Sequence, residues 1–182
     1  DEVEELVERI KRLVERDERE IKRVEDEIER LVRRVDEHSK RVEEEIRRLV
    51  TELMELLDRG ELRDEKVKEV VKTAKELVDR NKRETDEVKK ELDKLVEDIR
   101  KHSKDVVDEL KDLLRRIKSR GVEERVVEKV RRLVDKLAER SRDLLRKLRD
   151  LVRRVVKRLE DVNRRLEELV RKLAEELKEK SR

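Results

Sequence analysis

Two glycines, Gly60 and Gly121, and no proline interrupt a chain of 182 residues, and they divide it into near-equal thirds. Within each third, apolar residues recur at intervals of three and four, the period of an α-helix with one buried face. Each glycine follows a basic residue and closes a periodic run, the expected position just past a helix C-terminus. After Gly60, Asp64 is a candidate N-cap. After Gly121, Glu123 and Glu124 fall in a first helical turn, where negative charge suits the helix dipole. The spacing predicts helices over about 2–59, 63–119 and 122–180, with turns at Gly60 and Gly121. Loops this short make consecutive helices antiparallel neighbours. The fold class is therefore all-α, a single-chain up-down-up antiparallel three-helix bundle, expected to form one domain over 1–182.

Charged residues make up 59% of the chain and apolar residues 34%, a balance that can signal disorder. Here the apolar residues are almost all Leu, Val and Ile at regular spacing, which argues for long amphipathic helices instead. The absence of cysteine excludes a disulfide framework and a thiolate metal site. No apolar run exceeds two residues, so no transmembrane or targeting segment is expected. Net charge is +3 but uneven: −6 before Gly60, +2 between the glycines and +7 after Gly121. A basic third can serve nucleic acid or an anionic membrane. The simpler reading is an acidic helix lying beside a basic one, since flanking charges set pairing in bundles.

The apolar stripes of the first two helices average just over three and a half residues per step, which predicts a weak left-handed supercoil. On the third helix the stripe is read as Val126, Val130, Leu133, Leu137, Ser141, Leu144, Leu148, Leu151, Val155, Leu159, Val162, Leu166, Leu169, Leu173 and Leu177. In an antiparallel pair, facing residue numbers add to a constant. The first and second stripes face each other throughout when that constant is 120, and the second and third when it is 243. Both values put the turn apices at the glycines, which were not used to choose them.

The register also gathers the polar residues that interrupt the stripes. Asp17 falls opposite Ser103, beside His102, with Ser141 of the third helix in the same layer. His38 and Ser39 fall opposite Asn81, with Thr85 one turn away and Asn163 bordering the layer. His38 and His102 are the only histidines, each is followed by serine, and each pair occupies a position where the stripe should be apolar. Polar groups scattered singly through a core cost roughly 1–3 kcal/mol each if unpaired. Collected into two layers, they can satisfy one another.

Asp, His and Ser in one layer invite comparison with a hydrolase triad. A packed stripe offers no exposed nucleophile, oxyanion hole or substrate pocket, so no catalytic residue is assigned and no enzyme is expected. One histidine and at most one carboxylate per layer fall short of a zinc site, so no metal or other cofactor is expected. Membrane-surface helices favour Trp or Phe, and the chain has neither.

A narrow alphabet, minimal glycine loops, equal helices and polar residues confined to two layers together resemble a de novo designed three-helix bundle with buried hydrogen-bond network layers. The resemblance is one of style and covers the whole chain. It implies a hyperstable structural scaffold without a natural substrate, monomeric and requiring no partner, nucleic acid or membrane. It also leaves open an alternative: a module of a designed assembly, or a pH-responsive oligomer switched by His38 and His102.

Overall fold

The computed structural model describes residues 2–180; residues 1, 181 and 182, which the expected domain includes, lie outside the described part. Three helices account for nearly all of it: α1 over Glu2–Asp58, α2 over Asp64–Ser119 and α3 over Glu124–Lys180, of 57, 56 and 57 residues. No strand occurs among the described residues. The chain is an all-α three-helix bundle. Its helices are built from strong helix formers. Ion pairs one turn apart, such as Arg47 with Glu43 and Arg116 with Asp112, add local support.

The helix ends show why the glycines stand where they do. Gly60 and Gly121 adopt positive φ, 71° and 67°, a conformation that costs any residue with a Cβ. Space is not the constraint, because a Cβ at either position would meet nothing within 4 Å. Around Gly60, the Gly60 N–H donates to the Leu57 carbonyl and the Glu61 N–H reaches back to Leu56, closing the last carbonyls of α1 in a Schellman motif.

The starts differ from expectation. The Arg63 carbonyl accepts the first helical bonds of α2, from the Lys66 and Val67 N–H groups, so Arg63 is the cap and Asp64 the first helical residue. The Glu123 carbonyl does the same for Val126 and Val127, and α3 begins at Glu124 rather than at 122. Acidic groups still occupy the first turns, favourably placed against the helix dipole.

The contacts divide the chain into two compact units. The first comprises residues up to Glu29 together with Leu92–Arg153; the second comprises Arg30–Glu91 with the chain from Arg154 onward. The first unit contains a core of Ile10, Val14, Val106, Leu110, Leu113, Ile117, Val130 and Val134. In the second, Val42, Ile46, Leu53, Val67, Val70, Ala74 and Val78 pack with Leu166, Val170, Leu173 and Leu177. Each unit draws on all three helices and holds one interhelical turn. Burying each valine, leucine or isoleucine among them contributes roughly 1.5–3 kcal/mol before ordering costs.

On α3 the stripe assigned Val130, Ser141, Leu148, Leu159, Leu166, Leu173 and Leu177 correctly, but at five other steps the buried residue is the next one along. Val127, Val134, Ala138, Val152 and Val170 are buried, where Val126, Leu133, Leu137, Leu151 and Leu169 were expected. Leu169 is 40% exposed, and the other four are half-buried. Likewise Asn163 is buried and Val162 only half so. At Leu173–Ala174 the leucine is the buried member, whereas at Leu133–Val134, Leu137–Ala138, Leu151–Val152 and Leu169–Val170 the smaller residue takes the deep site. A short side chain there admits close approach of the neighbouring helices, and leucine covers the flank. Hydrophobic spacing cannot rank the two members of such a pair.

Across the helices run ion pairs. On the first unit, Arg9 meets Glu109 at 3.2 Å, Arg140 meets Glu18 at 3.1 Å, and Arg120 pairs with Glu2. On the second, Arg34 reaches Glu84 at 2.8 Å, Arg158 reaches Asp36 at 2.6 Å, and Lys89 reaches Glu160 at 2.5 Å. Arg140 and Arg158 of the basic α3 answer Glu18 and Asp36 of the acidic α1, the arrangement the uneven charge implied.

Candidate functional site

In the first unit, Asp17 is 2% exposed and stands on α1 where the stripe would otherwise carry an apolar residue. Its Oδ1 accepts hydrogen bonds from His102 Nδ1 at 3.1 Å and from Ser103 Oγ at 3.1 Å, both on α2. Its Oδ2 accepts from Ser141 Oγ of α3 at 2.7 Å. A carboxylate offers only acceptors, so all three partners must donate, and the His102 proton sits on Nδ1. One buried carboxylate thus joins three helices through charge-assisted bonds.

The second unit does the same work with neutral groups. Asn81 is fully buried, and its Oδ1 accepts from His38 Nδ1 at 2.7 Å and from Ser39 Oγ at 3.2 Å. Its Nδ2 donates to Ser39 Oγ at 3.0 Å and to Asn163 Oδ1 at 2.7 Å. Asn163 Nδ2 donates to Thr85 Oγ1 at 2.7 Å, and Thr85 Oγ1 donates to the Asn81 backbone carbonyl at 3.0 Å. The chain of donors closes on the residue from which it starts.

All nine sequence-assigned residues therefore meet as two groups: Asp17, His102, Ser103 and Ser141 in one, His38, Ser39, Asn81, Thr85 and Asn163 in the other. Two details differ from the reading of the stripes. The histidines are not core residues: Ser39 and Ser103 are buried, while His38 is half-buried and the His102 side chain is 34% exposed. The register sum carried this signal, because Asp17 with Ser103 and Ser39 with Asn81 each add to 120. His38 with Asn81 misses that sum by one, so the ring reaches its partner from the flank. The second detail concerns α3. Asn81 with Asn163 adds to 244, one more than the expected 243, the same single step by which some of the deep α3 residues are displaced.

Among the described residues, no buried side-chain nitrogen or oxygen lacks a hydrogen-bond partner. No three His, Cys, Asp or Glu side chains stand together as a metal site among them, and no helix is long and apolar enough to cross a membrane. Outside the layers, the Lys82 ammonium is pushed above its ordinary range by the hydrogen bond it donates to Glu167 and by that carboxylate's charge. Glu160 is held below the usual carboxylate range by the hydrogen bond and charge of Lys89.

No family model matches the chain, and no curated protein does. Among solved structures, three-helix bundles share its fold. The chain is similar to one described as a computationally designed three helix bundle, with a TM-score of 0.79 over 99% of this chain and 90% of that one. The two are 16% identical, so the likeness is one of fold.

Proposed function

We propose that the chain is a designed structural scaffold, a single folded body of three helices with no catalytic role, in which the two polar layers fix helix register. The observation that carries this reading is the pair of hydrogen-bonded groups, each joining all three helices. A bundle held only by Leu, Val and Ile tolerates helices sliding by a turn, because one apolar step resembles the next. Sliding either layer out of register would strand buried donors and acceptors, each costing roughly 1–3 kcal/mol. Polar core positions have their best-attested role in setting register and partner number. The designed three-helix neighbour supports the same reading through its fold.

Size-exclusion chromatography with light scattering tests it. The expected result is the mass of one chain across protein concentration, with helical circular dichroism persisting to about 90 °C, the range termed hyperstable. A mass of two or three chains near neutral pH would remove the monomeric scaffold. One observation favours a second reading, a pH-responsive assembly: both histidines are half-buried with Nδ1 bonded into a layer. That reading requires the mass or the helicity to change between about pH 7.5 and about pH 4.5, through the range where histidine gains charge.

A further inference from the structure

One groove of the second unit is lined by cations from both of the helices that form it. Arg34 with Glu84 and Lys66 with Glu52 set a cation of one helix against an anion of the other. Arg41 of α1 and Arg80 of α2 instead line this groove together. Neither guanidinium closes an ion pair with a carboxylate among the described residues, and both side chains are exposed.

The groove has about 270 Å³ of space and is lined by His38, Arg41, Val42 and Glu45 of α1 with Thr73, Leu77 and Arg80 of α2. Thr73 turns its hydroxyl back onto the Glu69 carbonyl at 3.0 Å, leaving its methyl group for the groove. Val42 and Leu77 add an apolar floor. The one acid present, Glu45, is engaged by Arg48 at 3.5 Å. His38 completes the set. Its Nδ1 donates to Asn81 at 2.7 Å, which fixes the ring, and Nε2 has no partner in the chain. Since no polar side-chain atom among the described residues is both buried and unpartnered, Nε2 reaches solvent.

We propose that this groove is a binding site for a small aryl phosphate. The phosphate lies between the Arg41 and Arg80 guanidinium groups, whose planar forks match its oxygens, and supplies the anion that each lacks. His38 takes up a proton at Nε2 and donates to a third oxygen, while the aryl ring covers Val42, Leu77 and the Thr73 methyl. The charged groups facing the imidazole are Arg41 and Glu45 from its own helix and Arg80 from α2. His102 is the internal control, because its Nδ1 is bound to the Asp17 carboxylate and it lies outside the residues that line this groove.

The experiment is a titration of the full chain with phenyl phosphate near neutral pH, followed by NMR through the ring signals of the two histidines. His38 is expected to shift along a saturating curve while His102 stays in place. Arg41→Gln and Arg80→Gln, both at exposed positions, are each expected to weaken binding by about tenfold with helicity retained. Inorganic phosphate is expected to bind more weakly than phenyl phosphate. Equal shifts of both histidines, a response that never saturates, or affinity unchanged in both arginine variants overturns the site. Equal affinity for the two phosphates overturns the aryl component.

Discussion

The two polar layers use the same topology with different chemistry. Asp17 is a charged hub that only accepts, and its three partners only donate to it. Asn81 is a neutral hub that accepts and donates, so its layer closes as a cycle through Asn163, Thr85 and the Asn81 carbonyl. A buried carboxylate needs its donors more than a buried amide does, because hydrogen bonds to charged groups contribute about twice as much as neutral ones. The amide layer has the compensating advantage of direction: each member has one arrangement that satisfies its neighbours. Charge supplies strength in the first unit, and donor–acceptor order supplies specificity in the second.

The largest expected effect comes from removing the charged hub. Asp17→Leu leaves the buried hydroxyls of Ser103 and Ser141 without their acceptor, while the partly exposed His102 turns to water. A loss toward the upper end of roughly 1–3 kcal/mol is expected in chemical denaturation. A neutral outcome would mean the carboxylate is solvated and the layer does not hold the helices.

Asn81→Leu should come next, at about 1–2 kcal/mol, since it strands Ser39 and Asn163 but breaks only neutral bonds. If it proves costlier than Asp17→Leu, closure of the cycle outweighs charge and the comparison reverses.

Replacing a whole layer sharpens the contrast. The triple change Asp17→Leu, Ser103→Ala and Ser141→Ala is expected to return stability to within about 1 kcal/mol of the original, or above it, because no buried polar group is left behind. The cost should appear instead as broadened NMR resonances, the mark of helices no longer held in one register. Sharp spectra with recovered stability would show that the remaining layer sets register unaided.

The smallest effect lies at the surface. Glu160 is held below its ordinary range by Lys89, so that pair's contribution is present above the unfolded carboxylate value and is lost as pH falls through the folded one. Lys82 is raised by Glu167, so its contribution is present below the unfolded lysine value and is lost as pH rises through the folded one. Lys89→Gln should shift the denaturation midpoint slightly at neutral pH and not at about pH 2, where Glu160 is protonated. A shift that survives at that pH belongs to the packing of the lysine stem rather than to the ion pair.

Much of this was legible in the sequence because helical period is a property of the chain alone. Gly60 and Gly121 mark the turns through their φ, and the stripe spacing gives three helices without any knowledge of their contacts. Layer membership was legible too, since antiparallel register converts residue numbers into neighbours, and Asp17 with Ser103 or Ser39 with Asn81 follow from one constant. Depth was not legible where two candidates stand side by side. Leu133 beside Val134 and Leu169 beside Val170 are equally apolar in the sequence, and only the available space between packed helices decides that the smaller member goes inside. The same holds for His38 beside Ser39 and His102 beside Ser103. The small serine fits the deep position, and the ring reaches the layer from the flank with its second nitrogen in water. Periodicity fixes which face of a helix is buried; the width of the gap between helices fixes which residue on that face lies deepest.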